Sequence, residues 1–322
     1  MWTYPRAIGL LAGYGLDRMF ADPRRWHPVA GFGTTALRLE RILYRDSTAL
    51  GVVHAVTLIG SAAAVGIGSS RAAARSTLPV DTVLIAAATW AALGGTSLSR
   101  VGQQMADHLD REDMASARAL LPSLCGRDPD SLDIDGLARA AVESIAENTS
   151  DAAVGVLVWG ALAGVPGILA YRASNTLDAM IGYRSPKYRH FGWAAARIDD
   201  VLNVVPARVT GLATVLAAPL VHGSPKQAWT MWRRDASQHP SPNAGVAEAA
   251  AAGALGLQLG GRTSYRHGVE IRPTLGDGSP PTARDLRRAV GLSIRVQELS
   301  AVGSAILAVA ICQARIRRHR RA

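Results

Sequence analysis

Two long uncharged runs limit this chain more than any other feature of its sequence. Residues 49–68 contain no Asp, Glu, Lys or Arg and only one His, and residues 80–98 are similar apart from Asp81 near their edge. A helix needs about 20 predominantly apolar residues to cross a bilayer. The two runs therefore predict membrane-spanning helices.

Further apolar segments extend this prediction to most of the chain. The sequence is 48% hydrophobic with only 5% aromatic residues and 32 glycines, which favours closely packed helices with small side chains. No strand-rich region is evident. We expect an all-α, multi-pass integral membrane protein with polar amphipathic-helical loops. It would form one domain over residues 1–322, with apolar helices at about 6–20, 49–68, 80–98, 152–170, 201–221 and 299–312.

The charge distribution argues against a nucleic-acid partner. The net charge is +10, but the Arg residues are spread over loops and the C-terminal tail and do not form one stripe. In a membrane protein such an excess fits anionic lipid and the bias of cytoplasmic loops. Cys125 and Cys312 each stand alone, so neither a disulfide framework nor a Cys metal site is expected.

An acidic stripe is the first sign of a functional site. In a helix Glu143, Glu147 and Asp151 would follow one another at i, i+4 and i+8 and share one face. Like charges placed in this way repel unless a divalent cation, an Arg or a bound substrate cation neutralises them. A solvated face is the alternative interpretation. Asn175 and Asp178 begin a second polar stripe.

The apolar segment between these stripes is a poor rigid rod. Residues 152–170 carry four glycines and a proline, Pro166. If they crossed as a straight helix, the ends would lie about 28 Å apart. We therefore expect a bend near residues 164–167, with Asp151 and Asn175 facing one cavity open to the cytoplasm.

Two further segments suggest phosphate binding. Ser241 followed by Pro242 predicts a helix start with Ser as the cap and Pro at the first helical position, and the free N–H groups there would suit a phosphate. Arg208 lies within an apolar segment and needs a partner, for which Asp199, Asp200 or a substrate phosphate are the natural choices.

Three segments together resemble the central signature of a known family. They are residues 146–149 (Ala-Glu-Asn-Thr), 171–180 (Tyr-Arg-Ala-Ser-Asn-Thr-Leu-Asp-Ala-Met) and 196–203 (Ala-Arg-Ile-Asp-Asp-Val-Leu-Asn). They look like the CobD/CbiB family, adenosylcobinamide-phosphate synthase. Residues 22–29 and 239–245 resemble further family signatures, and the likeness runs from Asp17 to about Arg288.

The resemblance implies an enzyme of vitamin B12 (cobalamin) biosynthesis in the cell inner membrane. Such a ligase joins adenosylcobyric acid to (R)-1-amino-2-propanol or its O-2-phosphate by an amide bond, using ATP and Mg²⁺, to give adenosylcobinamide (phosphate). It further implies contact with the lipid bilayer, with a corrinoid and with other membrane-bound enzymes of the pathway. The chain has no Walker-type motif and no Gly-x-Gly-x-x-Gly segment to bind the nucleotide.

The resemblance also implies which residues form the site. Catalytic roles fall to Glu143, Glu147, Asn148, Asp151 and Asp178, with Glu147 and Asp151 as metal ligands. Substrate and phosphate binding falls to Arg172, Asn175, Lys187, Asp199, Asp200, Asn203, Arg208, His239, Ser241, Asn243, Asp22 and His27. Carboxylate and amide oxygens suit Mg²⁺, and Arg and Lys suit phosphate.

Two other functions remain open at this point. Charged groups beside broken helices are also how transporters build substrate sites, although the inverted repeats typical of transporters are not evident. A non-catalytic membrane scaffold of the same family would use its charges only to pair with one another. ATP turnover that depends on a corrinoid acid and an amino alcohol would favour the enzyme, and flux without ATP hydrolysis the transporter.

The uncharged runs lead to a first prediction. The protein should sediment with membranes and need detergent for extraction, because residues 49–68 and 80–98 would otherwise expose their apolar surface to water. Fractionation followed by immunoblotting checks this. Recovery as a soluble monomer without detergent would contradict it.

Overall fold

The fold is built almost entirely of helices, as the sequence predicted. A computed structural model describes residues 4–23, 27–76, 79–183, 185–265 and 268–319. The α-helices are α1 Pro5–Phe20, α2 Pro28–Leu43, α3 Thr48–Ala73, α4 Val80–Ala92, α5 Gly95–Asp110, α6 Met114–Leu120, α7 Ile134–Thr149, α8 Gly155–Ala163, α9 Val165–Leu177, α10 Trp193–Leu202, α11 Val204–Ala217, α12 Pro225–Asp235, α13 Ala244–Leu255 and α14 Ala283–His319. Two π-helical turns, Ser150–Val154 and Asp178–Gly182, follow α7 and α9.

Four helical stretches are long and apolar enough to cross a membrane. They are Thr48–Ala73, Val80–Asp110, Val204–Val221 and Ala283–Arg318. Large apolar side chains stand exposed along them, for example Val56 on α3, Leu216 on α11 and Ile306 on α14. Exposed apolar faces of this kind are unfavourable in water and are suited to lipid. The protein is therefore a multi-pass membrane protein.

The described residues group into two compact units. Unit 1 comprises Met1–Gly94, Gly155–Asn203 and Ala301–Ala322, and unit 2 comprises Gly95–Val154 and Val204–Ser300. Each unit therefore draws its helices from separate parts of the chain. The predicted site residues are divided between them.

Close helix packing in unit 1 depends on small residues. A Cβ atom added to Gly13 of α1 would lie 2.5 Å from Cβ of Thr89 on α4, so the two backbones approach as only glycine allows. Phe191 and Leu177 lie in the core where α3, α9 and α10 meet. His54, the one ionisable residue in the run 49–68, is buried with Nε2 3.1 Å from the carbonyl oxygen of Ala36.

The predicted bend in residues 152–170 is confirmed. Helix α8 ends at Ala163 and α9 begins at Val165. Gly164 between them has φ 67° and ψ −147°, a conformation that is essentially restricted to glycine. The two helices then pack on each other, since a Cβ atom on Gly167 would lie 2.4 Å from the carbonyl oxygen of Trp159. The segment is a short helical hairpin.

Unit 2 is arranged around α13. Every residue of this alanine-rich helix is buried, and α7, α11 and α12 pack around it. An antiparallel hairpin of β1 Leu259–Tyr265 and β2 Gly268–Leu275 also contacts it. The sequence analysis did not predict these strands. Gly260 has a positive φ of 80° at the irregular start of the hairpin.

The bend gives a prediction for stability. Gly164→Ala should lower the free energy of unfolding by about 1–3 kcal/mol, because alanine is strained in this conformation. Thermal unfolding of the purified protein in detergent measures the effect. Gly60→Ala is the matched control: Gly60 lies within α3 with no neighbouring heavy atom within 4 Å, so alanine should be neutral or slightly stabilising there. Equal behaviour of the two variants would show that the bend does not need glycine.

Candidate active site

Glu143, the first predicted carboxylate, is buried on α7 and uses both oxygens. Oε2 forms an ion pair with the guanidinium of Arg127, which is also buried. Oε1 accepts a hydrogen bond of 2.7 Å from the backbone N–H of Gly260. A buried charge is tolerated only when it is compensated in this way. Glu143 therefore connects α7 both to the segment before it and to the start of the hairpin.

Two more glutamates share this environment, Glu147 on α7 and Glu248 on α13. Burial raises the pKa of Glu147. The positive charges of Arg272 and Arg127 oppose this rise, and the negative charge of Glu143 adds to it. Burial also raises the pKa of Glu248 well above its usual value, and the charges of Glu143 and Glu147 raise it further. We call Glu143, Glu147 and Glu248 the carboxylate cluster. Its three carboxylates face two guanidiniums, so it favours uptake of a proton or a cation.

Asn148 and Asp151, the next predicted residues, lie where the regular α-helical hydrogen bonding of α7 ends. Asn148 donates from Nδ2 to the carbonyl oxygen of Ser144 at 2.9 Å and to its Oγ at 3.0 Å. Asp151 lies half-buried in the π-helical turn Ser150–Val154. Such turns are rare and occur frequently at functional sites.

The segment before α13 holds a buried histidine. Nδ1 of His239 lies 3.1 Å from the backbone N and 3.2 Å from the backbone O of Ser241, and its Nε2 lies 3.8 Å from Oε1 of Glu248. Burial lowers the pKa of His239. Ser241 Oγ accepts the N–H groups of Asn243 and Ala244. The helix begins at Ala244 with Asn243 as its N-cap, however, so the prediction of Ser241 as the cap and Pro242 as the first helical residue was wrong.

A pocket of about 410 Å³ opens beside this segment in unit 2. Arg208, Trp232, Arg233 and His239 form part of its wall. Arg208 donates from Nη1 to Oδ1 of Asn243 at 2.8 Å. The sequence analysis offered Asp199, Asp200 or a substrate phosphate as partners of Arg208. The structure shows Asn243 in this role, and the phosphate contact stays a prediction. Two guanidiniums give the pocket a positive potential.

In unit 1 the second polar stripe also ends in a π-helical turn. Asp178 is the first residue of Asp178–Gly182 and is half-buried. Its carboxylate lies against the backbone, because a Cβ atom on Gly182 would approach Oδ1 of Asp178 to 1.9 Å. Arg172 donates from Nη1 to Oδ1 of Asn175 at 3.2 Å, which ties two predicted residues together.

A buried hydrogen-bond chain joins two of the signature segments in unit 1. The hydroxyl of Tyr171 donates to Oδ1 of Asn203 at 2.8 Å, and Nδ2 of Asn203 donates to Oδ2 of Asp199 at 2.8 Å. All three side chains are buried. Asp200 instead forms an ion pair of 3.0 Å with Arg197 of the same helix. The chain therefore positions Asp199 and Asn203.

Three other predicted residues of unit 1 form local pairs. Lys187 donates from Nζ to Oε1 of Glu40 at 2.7 Å and to the hydroxyl of Tyr188 at 2.9 Å, and both contacts raise the pKa of Lys187. Nε2 of His27 lies 3.1 Å from Oδ2 of Asp22, and its Nδ1 accepts the N–H of Val29 at the start of α2. The charge of Lys187 is therefore already compensated by protein.

The structure thus places the predicted residues in two groups. Unit 2 holds Glu143, Glu147, Asn148, Asp151, Arg208, His239, Ser241 and Asn243. Unit 1 holds Asp178, Arg172, Asn175, Lys187, Asp199, Asp200, Asn203, Asp22 and His27. A cavity shared by Asp151 and Asn175 remains a prediction.

The predicted metal ligands do not form a complete metal site. Across the described part of the chain, no group of three or more His, Cys, Asp and Glu side chains could hold a metal ion. Mg²⁺ is often bound by one or two carboxylates together with phosphate oxygens and water. The role of Glu147 and Asp151 as magnesium ligands therefore stays a prediction.

Sequence reasoning missed four members of the site in unit 2, namely Arg127, Glu248, Gly260 and Arg272. Only Glu248 carried a local signal, since an ionisable side chain within the apolar run 244–255 requires a partner. Arg127 and Arg272 occur in polar stretches where basic residues are common. Their contribution depends on tertiary packing.

Comparison with known proteins adds an independent finding. Residues 10–293 match the sequence model of the family described as CobD/Cbib protein. Cobalamin biosynthesis protein CobD of Mycobacterium tuberculosis (strain ATCC 25618 / H37Rv) is 58% identical over 304 residues, which cover 94% of this chain and 95% of that protein. Proteins of the same name from Geobacter metallireducens and Chromobacterium violaceum are 42% and 40% identical, over 83% and 92% of this chain and 85% and 95% of their own lengths. No solved structure matches the chain.

The buried ion pair generates a prediction. Glu143→Gln should lower the free energy of unfolding by about 3–5 kcal/mol, because it removes one charge of a buried ion pair. Thermal unfolding in detergent measures the loss. The double variant Arg127→Met with Glu143→Gln should be more stable than the single variant.

The control for this prediction is an exposed glutamate outside the four membrane-spanning stretches. Glu112 lies in the turn after α5 with its side chain exposed. Glu112→Gln should change the stability by less than about 0.5 kcal/mol. If Glu143→Gln behaves like Glu112→Gln, the buried pair does not stabilise unit 2.

Proposed function

The chain belongs to the CobD/CbiB family, and we propose that it is the ligase that joins adenosylcobyric acid to (R)-1-amino-2-propanol or its O-2-phosphate at the expense of ATP. A role in cobalamin biosynthesis, and with it a biosynthetic enzyme, follows from the family and from the relatives' names. The amide ligation is the finer proposal. The product would be adenosylcobinamide or its phosphate.

One arrangement in unit 2 supports this proposal most directly. His239 lies between the carboxylate cluster and a positively charged pocket. Its Nε2 is 3.8 Å from Oε1 of Glu248, and the residue also forms part of the pocket wall. Amide formation from an amine and an ATP-activated acid needs groups that receive a cation and groups that receive phosphate. Carboxylates and guanidiniums supply these two kinds of group.

The phosphate contacts are assigned to the basic residues of the pocket. Arg208 is held in place by Asn243. Arg233 is exposed at the wall, and its guanidinium carbon lies 6.0 Å from the centroid of the Trp229 ring. Guanidinium groups bind phosphate oxygens by paired, charge-assisted hydrogen bonds. A phosphate of either the amino alcohol or the nucleotide would be bound in this way.

Magnesium would neutralise charge on the phosphates of ATP and help the leaving group depart. Glu147 and Asp151 would hold it from the end of α7 and the following π-helical turn. Both side chains are half-buried, so each keeps access to a ligand. The raised pKa of Glu147 fits a carboxylate that loses its proton when a cation binds.

The residues of unit 1 are assigned to substrate orientation, with a catalytic role for Asp178. The chain from Tyr171 through Asn203 to Asp199 fixes its members in one geometry. Fixed polar groups of this kind lower the cost of orienting a substrate. Arg172 and Asn175 form a second such pair.

The proposed reaction takes place on the cytoplasmic side of the membrane. ATP and the corrinoid precursor are expected in the cytoplasm, so the reactive groups of both units should be reachable from there. Turnover of ATP by protein in sealed vesicles of known orientation tests this. Flux of a corrinoid without ATP hydrolysis would instead support a transporter.

The proposal predicts the behaviour of two variants. Asp151→Ala and Asp178→Ala should each lower the rate of amide formation by about 100-fold or more, because each removes a half-buried carboxylate from a π-helical turn. The product is measured by chromatography after incubation with the corrinoid acid, the amino alcohol and ATP.

The matched control is Asp130→Ala, which removes an exposed carboxylate from the turn Pro129–Ser131. It should leave the rate unchanged. All three variants should remain inserted and monodisperse in detergent. Near-normal turnover in either site variant would remove that residue from the active site.

A further inference from the structure

Two buried polar atoms face each other in unit 2 without making a hydrogen bond. Nε2 of His239 and Oε1 of Glu248 are 3.8 Å apart, which is too long for one. Within the described residues neither atom has another hydrogen-bond partner. Only 9% of His239 and 2% of Glu248 is exposed. Such orphaned groups are rare in folded proteins and indicate that something else binds there.

The position of this pair limits what can bind. His239 belongs to the wall of the 410 Å³ pocket that also contains Arg208 and Arg233. His239 therefore lies between the pocket and the buried side chain of Glu248 on α13. The guanidiniums of Arg208 and Arg233 make the pocket beside His239 positively charged, whereas Glu248 carries a negative charge when it is ionised. A ligand that carries both an anion and a cation matches this polarity.

The charges around the pair favour a cation between its two atoms. Glu143 and Glu147 face it from α7, Arg127 from the segment before α7, and Arg272 from β2. Three carboxylates against two guanidiniums leave a negative surplus. A primary ammonium carries three N–H donors and can bond to both acceptors.

The histidine can present an acceptor at this point. Both backbone groups of Ser241 lie near Nδ1 of His239, the N–H at 3.1 Å as a donor and the carbonyl oxygen at 3.2 Å as an acceptor. In the tautomer in which Nδ1 donates to the carbonyl oxygen, Nε2 carries the lone pair. The side chain is then positioned by Ser241 with its acceptor towards Glu248.

We propose that His239 and Glu248 form the amine subsite of the ligase, in which the ammonium group of the amino alcohol binds between Nε2 and Oε1 and gives its proton to Glu248. The phosphate of the same molecule, where it is present, lies against Arg208 and Arg233. This inference rests on the proposed function. Glu248 is the catalytic base and His239 binds and orients the nitrogen.

The proton transfer makes the amine reactive. An N–H bond of the ammonium breaks and its proton passes to the carboxylate of Glu248, which leaves a lone pair on nitrogen. This pair forms the C–N bond with the phosphorylated carboxyl group of the corrinoid. The C–O bond to phosphate breaks and its electron pair leaves on the phosphate oxygen. The nitrogen then loses a second proton to the departing phosphate as the amide forms.

The electrostatics of Glu248 suit this role. Burial and the neighbouring carboxylates raise the pKa of Glu248, so its ionised form is a stronger base than an ordinary carboxylate. The rate with the amino alcohol should therefore increase as the pH rises through this raised pKa, because only ionised Glu248 accepts the proton.

Hydroxylamine provides the test, because it is uncharged at neutral pH and needs no base to become a nucleophile. The full chain in detergent is incubated with adenosylcobyric acid, ATP and Mg²⁺, together with either aminopropanol phosphate or hydroxylamine. Glu248→Gln should slow amide formation with aminopropanol phosphate by about 100-fold. Its remaining rate should follow only the free amine, whose concentration in solution increases with pH, and should lack the inflection at the raised pKa of Glu248. The variant should form the hydroxamate at nearly the wild-type rate.

Two further variants sharpen the result. His239→Asn should mainly raise KM for aminopropanol phosphate and leave hydroxamate formation intact, because it removes a binding contact. Glu112→Gln, which changes an exposed glutamate in the turn after α5, should behave as wild type with both nucleophiles. Hydroxamate formation itself shows that a variant is folded and still activates the acid.

The other outcomes overturn the inference in distinguishable ways. If Glu248→Gln keeps the wild-type rate and pH profile with aminopropanol phosphate, Glu248 is not the base. If it loses both activities, Glu248 serves the fold or the activation of the acid. If wild-type protein forms neither product, the proposed function itself fails and the amine subsite fails with it.

Discussion

The buried ion pair between Arg127 and Glu143 is the contact on which unit 2 depends. Charges at this depth are unfavourable unless every oxygen and guanidinium nitrogen is compensated. Glu143 meets that condition with Arg127 on one oxygen and the N–H of Gly260 on the other. Because Glu143 is neutralised in this way, the negative surplus of the carboxylate cluster falls on Glu147 and Glu248. The same contact therefore holds the start of the hairpin and leaves the excess negative charge on these two glutamates.

The two π-helical turns are a second common element. Asp151 and Asp178 both lie where an α-helix widens into such a turn, one in each unit. The wider turn breaks the regular hydrogen-bond ladder, which weakens a helix unless the local structure compensates. Gly182 contributes at the second turn, since its missing side chain makes room for the carboxylate of Asp178. The signature segments thus combine a carboxylate with a local departure from α-helical geometry.

The membrane accounts for where these polar groups are found. The four long apolar stretches carry exposed aliphatic side chains and few charges. In lipid, charged groups on such helices would be costly. The carboxylate cluster instead lies on α7 and the short helix α13. The groups that compensate its charge come from the hairpin and from the segment that contains Arg127. Arg208 lies near the start of the stretch Val204–Val221 and is bound by Asn243 from outside that stretch.

Several features could be predicted from the sequence because their causes are local. The length of an uncharged apolar run decides whether a helix can span, as for residues 49–68. Gly164 produces the bend just before α9, and Ser241 accepts hydrogen bonds from backbone N–H groups two and three residues further along the chain. Glu143, Glu147 and His239 were chosen from their spacing and from the family signature, and the structure brings them into one electrostatic environment.

Only the tertiary structure decided which charges are compensated and by which partners. Gly260 binds Glu143 across 117 positions of sequence, and Arg208 binds Asn243 in place of the expected aspartates. Helix propensity, apolar length and glycine geometry act within a few residues. The partner of a buried carboxylate instead depends on which loop or strand the packing of α7, α13 and the hairpin brings beside it. For that reason the sequence determined the membrane helices and the carboxylates, and the fold decided that Arg127, Arg272 and Glu248 join them.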